Sequence, residues 1–354
     1  MAPLRIIDSH THVWPQSMSH AGEGGHAWMT PGMPLAKQHI LSDYYRASKQ
    51  DELRKQDVTF EGVVYVETDV RYDKPNGDLR SWAKGPLDEI RFLRDIVEGK
   101  YGERDSHILI GIVAWAPMDQ PTNVLEEWLR VAEETAGRET WKRVKGFRFL
   151  LQFIQDQEEF ERLVWSDHFT KNLQLLGKRG FAFDIGVDQH SGGAWQLQAI
   201  ATAMEKAHLD VSEAEKVTFV INHLCKPDFI PNGPEFRAWT KATQVMAGWS
   251  KTYMKLSGGL SELPEEVLAT KDAAAIAKHM KPWVEHVFAV FGPERIMFGS
   301  DWPVCNVRGP GEEASWTMWK GIVADLIENQ VADLSDADRA SVWSEAARRA
   351  YKLG

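Results

Sequence analysis

The stretch Leu4-Arg5-Ile6-Ile7-Asp8-Ser9-His10-Thr11-His12 decides the fold. Its apolar start reads as a strand buried on both faces. A doubly wound open sheet wants a glycine-rich phosphate turn after its first strand, and this strand runs instead into Asp8, Ser9 and two histidines. Seven further short apolar segments follow: Gly62–Val66, Ile108–Trp115, Val144–Phe149, Phe181–Val187, Val217–Ile221, Tyr253–Leu256 and Ile296–Gly299. Between them lie stretches of helical spacing. Glu158 to Leu176 carries Phe160, Leu163, Val164, Leu173 and Leu176 on one face, with Gly177 as a stop signal. Trp195 to Ala207 repeats the pattern. Ser335 with Asp338 forms a capping-box signature ahead of Val342, Trp343, Ala346, Ala347 and Ala350.

Alternating strands and helices imply βα units and a parallel sheet. Eight strands predict an α/β protein built as a (β/α)₈ TIM barrel, with residues 1–354 as a single domain. Such a barrel takes about 250 residues, which leaves roughly 100 for insertions. The largest are Trp14–Leu41 after strand 1 and Asp69–Leu87 after strand 2, both over the catalytic face.

The 354 residues are 43% hydrophobic and 26% charged, an ordinary globular mixture that excludes a disordered or fibrous chain. The net charge of −10 argues against a nucleic-acid binder or a protein docked on an anionic membrane. Two cysteines, Cys225 and Cys305, are too few for a disulfide framework and read as buried thiols. The N-terminus carries no secretory pattern and no segment has a membrane span's length, so a cytoplasmic location is expected.

Barrel enzymes place their reactive groups at the C-terminal ends of the strands. His10 and His12, two apart in extended chain, share a face and make a metal half-site. Strand 6 runs into His223, and strand 8 into Gly299-Ser300-Asp301-Trp302-Pro303, where a carboxylate can ligate a metal or take a proton from water. Each has a plain structural reading alone: a capping histidine, an N-cap aspartate. The weaker candidates carry the same duality. Arg148 suits a carboxylate or lactone oxygen, or a structural ion pair. Asp184, Gln189, His190 and Lys226 are placed to contact substrate or to sit solvated at the rim. Trp28, Trp82, Trp115 and Trp302 offer flat faces for a sugar ring or pack in the core.

Taken together, His-x-His after the first strand, His after the sixth and Asp after the eighth resembles the amidohydrolase superfamily. The likeness runs from Asp8-Ser9-His10-Thr11-His12 to Ala346-Ala347-Arg348-Arg349-Ala350-Tyr351, in the manner of the amidohydrolase-2 branch. Phe183–His190, His223-Leu224-Cys225-Lys226-Pro227 and Phe291 through Cys305 are most similar to its L-fuconolactonase and L-rhamnono-γ-lactonase group. Binuclear members use a bridging Lys from strand 4 and a His from strand 5. Here strand 4 offers Lys145 and Arg148, which face opposite sides, and strand 5 offers Asp184 with His190 six residues on.

The resemblance therefore implies one divalent ion, zinc, held by His10, His12, His223 or Asp301, with a metal-free mechanism as the alternative. It implies hydrolysis of a sugar-acid γ-lactone such as L-rhamnono-1,4-lactone. Asp301 takes the proton of water and returns it to the ring oxygen, and His223 or the metal polarises the carbonyl. The rivals are a metal-dependent non-oxidative decarboxylase of an aromatic acid and a binding protein that has kept the barrel without catalysis. The expected partner is a small sugar lactone, with no nucleic acid and no membrane; a homo-oligomer stays open.

Overall fold

A computed structural model describes residues 4–55 and 57–354. Eight strands pair in parallel in chain order: β1 (Leu4–Thr11), β2 (Val58–Val66), β3 (Leu109–Trp115), β4 (Val144–Arg148), β5 (Ala182–Ile185), β6 (Thr218–Ile221), β7 (Thr252–Leu256) and β8 (Ile296–Phe298). The β8–β1 seam closes at its top, where Asp301 N donates to His10 O and His12 N to Trp302 O. The architecture is the (β/α)₈ barrel that the alternation predicted. No helix among the described residues is long and apolar enough to cross a membrane.

Alternate strand residues divide between two cores, as a barrel requires. Ile7, Val64, Val66, Val113, Ala182, Val220 and Met297 fill the lumen, plugged by Ala346, Ala347, Ala350 and Tyr351 of the C-terminal helix. Ile6, Val63, Tyr65, Phe147, Phe183, Phe219 and Phe298 face the surrounding helices. The Ser335–Asp338 capping box is present, and the chain continues helical through a π turn at Ser341–Glu345 to Tyr351.

One expected helix is two. The Glu158–Leu176 periodicity spans Gln157–Val164 and Asp167–Lys178. Ser166 ends the first turn run and its side chain accepts from Phe169 N, which starts a new helix.

The two insertions meet over the barrel mouth. His26 Nε2 lies 2.7 Å from Thr68 Oγ1, and Trp28 Nε1 donates to Thr68 O at 2.9 Å. Aromatic packing of Trp14 with His26, Trp28 and His39 gives the first insertion its own small core.

Candidate active site

A cavity of about 340 Å³ opens at the C-terminal ends of the strands. Its polar lining is His12, Thr68, Asp69, Arg148, Gln152, His223, Lys226 and Asp301. Trp14, Trp28, Met33 and Leu35 of the first insertion supply an apolar wall.

Local backbone geometry brings the four expected residues together. A register shift between Asp8 and Thr11 lets Asp8 turn outward and His10 inward. The Asp8 carboxylate accepts from Tyr44 OH (2.8 Å), Trp316 Nε1 (3.0 Å) and Ser300 N (2.8 Å), tying β1 to the segment after β8. A Cβ on Gly299 would lie 2.9 Å from His10 Cβ, so only glycine lets these two segments approach so closely. His223 begins four consecutive residues of positive φ, His223 to Lys226. Such conformations persist only where the surroundings over-determine them. Here Gly258, itself at φ 68°, leaves room for the His223 ring: a Cβ there would stand 2.6 Å from Nδ1.

Asp301 Oδ1 lies 3.5 Å from His12 Nε2 and 3.7 Å from Nε2 of both His10 and His223. His10 Nε2 and His12 Nε2 are 3.1 Å apart. Burial pushes the Asp301 carboxyl up, but His223, His12 and Lys226 outweigh it and the net direction is down. Burial holds His223 neutral, down at about 3 against the pull of Asp301. His10 is driven well down by burial and by Lys255. The cluster sets an ionised carboxylate beside His10 and His223, both held neutral by burial.

The donor set suits a divalent cation. His10, His223 and Asp301 bring ligand atoms within 4.8 Å of one another, and His12 Nε2 adds a fourth. His12 Nδ1 meets Val66 O at 2.8 Å, which fixes the proton there and leaves Nε2 its lone pair. His223 Nδ1 meets Ser257 Oγ at 2.8 Å. His10 differs. Its Nδ1 faces Lys255 Nζ at 3.1 Å; when the ammonium donates there, the ring proton sits on Nε2, and His10 offers Nε2 to a cation only when Nδ1 carries the proton and Lys255 is a neutral amine.

The weaker candidates separate. Arg148 and Lys226 line the cavity. The Arg148 fork is largely committed to Glu67: Nε bonds its carboxylate and Nη2 its backbone carbonyl at 2.6 Å. Lys226 sits 3.1 Å from Glu262 and 3.6 Å from Asp188. His190, at the rim, reaches Glu262 at 3.3 Å. Asp184 lies within the barrel lumen, where Lys255 Nζ (2.7 Å) and Tyr351 OH donate to it, and it does not line the cavity. Gln189 turns away to Glu235. Trp302 packs edge-on to His39 and Tyr44 behind Asp301, and Trp115 packs with Tyr72, Trp82 and Trp128 under the helices. Of the four tryptophans only Trp28 lines the cavity. Both cysteines are buried and free.

No residue-level reading of the sequence singles out Glu67, Asp69 (named only as the start of the second insertion, which was expected to contact the ring), Lys255 or the β4 loop, whose Leu150, Gln152 and Phe153 line the cavity with Val304. The Glu67-Thr68-Asp69 run directly after β2 was the available signal for the first two.

The family model described as "Amidohydrolase" matches residues 103–353. Along its whole length the chain is 29% identical to the full length of an L-rhamnono-gamma-lactonase of Scheffersomyces stipitis. It is 25% identical to an L-fucono-1,5-lactonase of Burkholderia multivorans, covering all of this chain and 97% of that one. A crystal structure of an amidohydrolase from Burkholderia multivorans with bound Zn superposes with a TM-score of 0.72 at 23% identity, over 99% of each chain.

Proposed function

The chain belongs to the amidohydrolase family, and from that premise we propose that it hydrolyses a sugar-acid γ-lactone, L-rhamnono-1,4-lactone or a related deoxy-aldonolactone, to the aldonic acid. The observation that carries this reading is Asp301, its carboxyl held below the ordinary range, 3.5 Å from His12 and 3.7 Å from a neutral His223 in a cavity lined by polar donors and acceptors. The Scheffersomyces stipitis and Burkholderia multivorans relatives are named for sugar lactones, which favours lactone opening over decarboxylation.

Water is too weak a nucleophile to open a lactone unless a base takes its proton. Asp301 Oδ1 is that base: it is anionic and faces the cavity. As water adds, negative charge develops on the carbonyl oxygen, and the Lys226 ammonium, together with any N–H that His223 presents at Nε2, offsets it. Arg148, held rigid by Glu67, fixes one side of the ring. Trp28 and Trp14 give the ring an apolar face and exclude bulk water. His12, His223 and Asp301, with His10, would hold a divalent cation, zinc by analogy with the zinc-bound relative. When bound, that ion supplies Lewis-acid polarisation of a carbonyl and acidifies water.

Acid release from a panel of aldonolactones, followed in a pH-stat with carbon dioxide measured in parallel, tests the reading. Acid without carbon dioxide is expected; carbon dioxide release from aromatic acids, with the lactones untouched, would overturn it.

A further inference from the structure

Opening a lactone needs two proton transfers, and the cavity holds a second carboxyl besides that of Asp301. Asp69 lines the same cavity as Asp301, but follows β2 rather than β8. Its backbone is held in the left-handed region at φ 54°. Asp69 N donates to Glu67 Oε2 at 2.6 Å, while the other oxygen of Glu67 takes Arg148 Nε. One buried carboxylate thus fixes both Asp69 and Arg148. The Asp69 carboxyl makes no ion pair or hydrogen bond of its own with the described residues.

We propose that Asp69, not Asp301, is the acid that protonates the departing ring oxygen. This rests on the lactonase reading. Water's oxygen bonds to the carbonyl carbon as its proton passes to Asp301. The ring C–O bond then breaks, and its electron pair takes the Asp69 proton to give the free hydroxyl. Solvent re-protonates Asp69 and removes the proton of Asp301.

The charged and titratable groups around Asp69 agree with this role. Burial and Glu67 push its carboxyl up to about 7, with Arg148 opposing. Tyr72, three residues on, lies close enough for Asp69 to raise its hydroxyl, and Asp119 after β3 acts on Tyr72 rather than on Asp69. Carboxyls with oppositely perturbed acidities in one site are the pattern of paired acid and base catalysis.

The test uses Asp69→Asn and Asp69→Gly, both of which tolerate positive φ. Each is assayed on an aldono-1,4-lactone and on its ring-sulfur thiolactone, which keeps the hydroxyls but has a better leaving group. A lost general acid should cost about 10²-fold or more in kcat on the oxygen ring, and far less on the sulfur ring. The alkaline limb of the wild-type kcat profile should also vanish in the variants. Equal losses on both rings would make Asp69 a positioning residue and overturn the assignment, as would a near-normal kcat on the oxygen ring. A wild type inactive on both rings would overturn the lactonase reading itself.

Discussion

The ammonium nitrogen of Lys255 stands 3.1 Å from Nδ1 of His10, while Nε2 of the same ring faces His12 and Asp301. A metal-binding imidazole ordinarily donates its second N–H to an acceptor. His12 does so, to Val66 O, and His10 meets a cation instead. Zinc affinity should therefore fall about tenfold further in His12→Ala than in His10→Ala, the scale of a supporting contact to a ligand. The double variant should not bind zinc. Titration against a chromophoric chelator measures this, and a greater loss in His10→Ala would contradict it.

Asp301→Asn keeps the size of the side chain and one acceptor oxygen but cannot take a proton. Its kcat should fall by about 10²–10⁴ with little change in KM. If Asp301 acted mainly as a ligand, excess zinc would restore part of the rate, so rescue by zinc counts against its role as base.

Gly258→Ala tests the support of His223. The substitution adds a Cβ at φ 68°, within 2.6–2.9 Å of Nδ1, Cγ and Cβ of His223. Left-handed backbone at a non-glycine residue costs about 1–3 kcal/mol. The ring must also shift from Ser257 Oγ. Thermal unfolding should show the stability loss, and kcat should drop at least about tenfold.

Glu89 gives a pH dependence of stability. Burial and the neighbouring Glu67 raise its carboxyl from the ordinary 4.5 to about 7. A group whose folded value is raised contributes stability that is complete below its unfolded value and is lost as pH rises through the folded one. Glu89→Gln keeps an acceptor for Tyr65 OH, Thr68 N and Thr68 Oγ1. The variant should match wild type near pH 4.5 and exceed it at pH 8, by on the order of 1 kcal/mol or more. Urea unfolding at both pH values reads this directly; an advantage confined to acid pH would refute it.

The strands were legible because most are short, largely continuous apolar runs, the mark of burial on both faces. Their ends carried His10, His12, His223 and Asp301, and the structure brings these within contact of one another. Side-chain direction was not legible. Asp184 sits one residue inside the end of β5 and so faces the lumen, where Lys255 and Tyr351 meet it from β7 and the far C-terminus. Trp302 follows Asp301 immediately, yet turns behind it onto His39 and Tyr44, neighbours that lie more than 250 residues away. Glu67 and Asp69 lie past β2 in an insertion whose course over the mouth depends on its bonds to the first insertion, which no local pattern specifies.

On the proposed reading, this cavity binds a hydroxylated lactone ring. A site that hydrogen-bonds hydroxyls discriminates by about 10⁴ or more against an analogue that lacks them. The ratio of kcat/KM on L-rhamnono-1,4-lactone to that on unsubstituted γ-butyrolactone measures this in one preparation. A ratio of at least about 10³ is expected; equal values on the two rings would contradict hydroxyl recognition by this cavity.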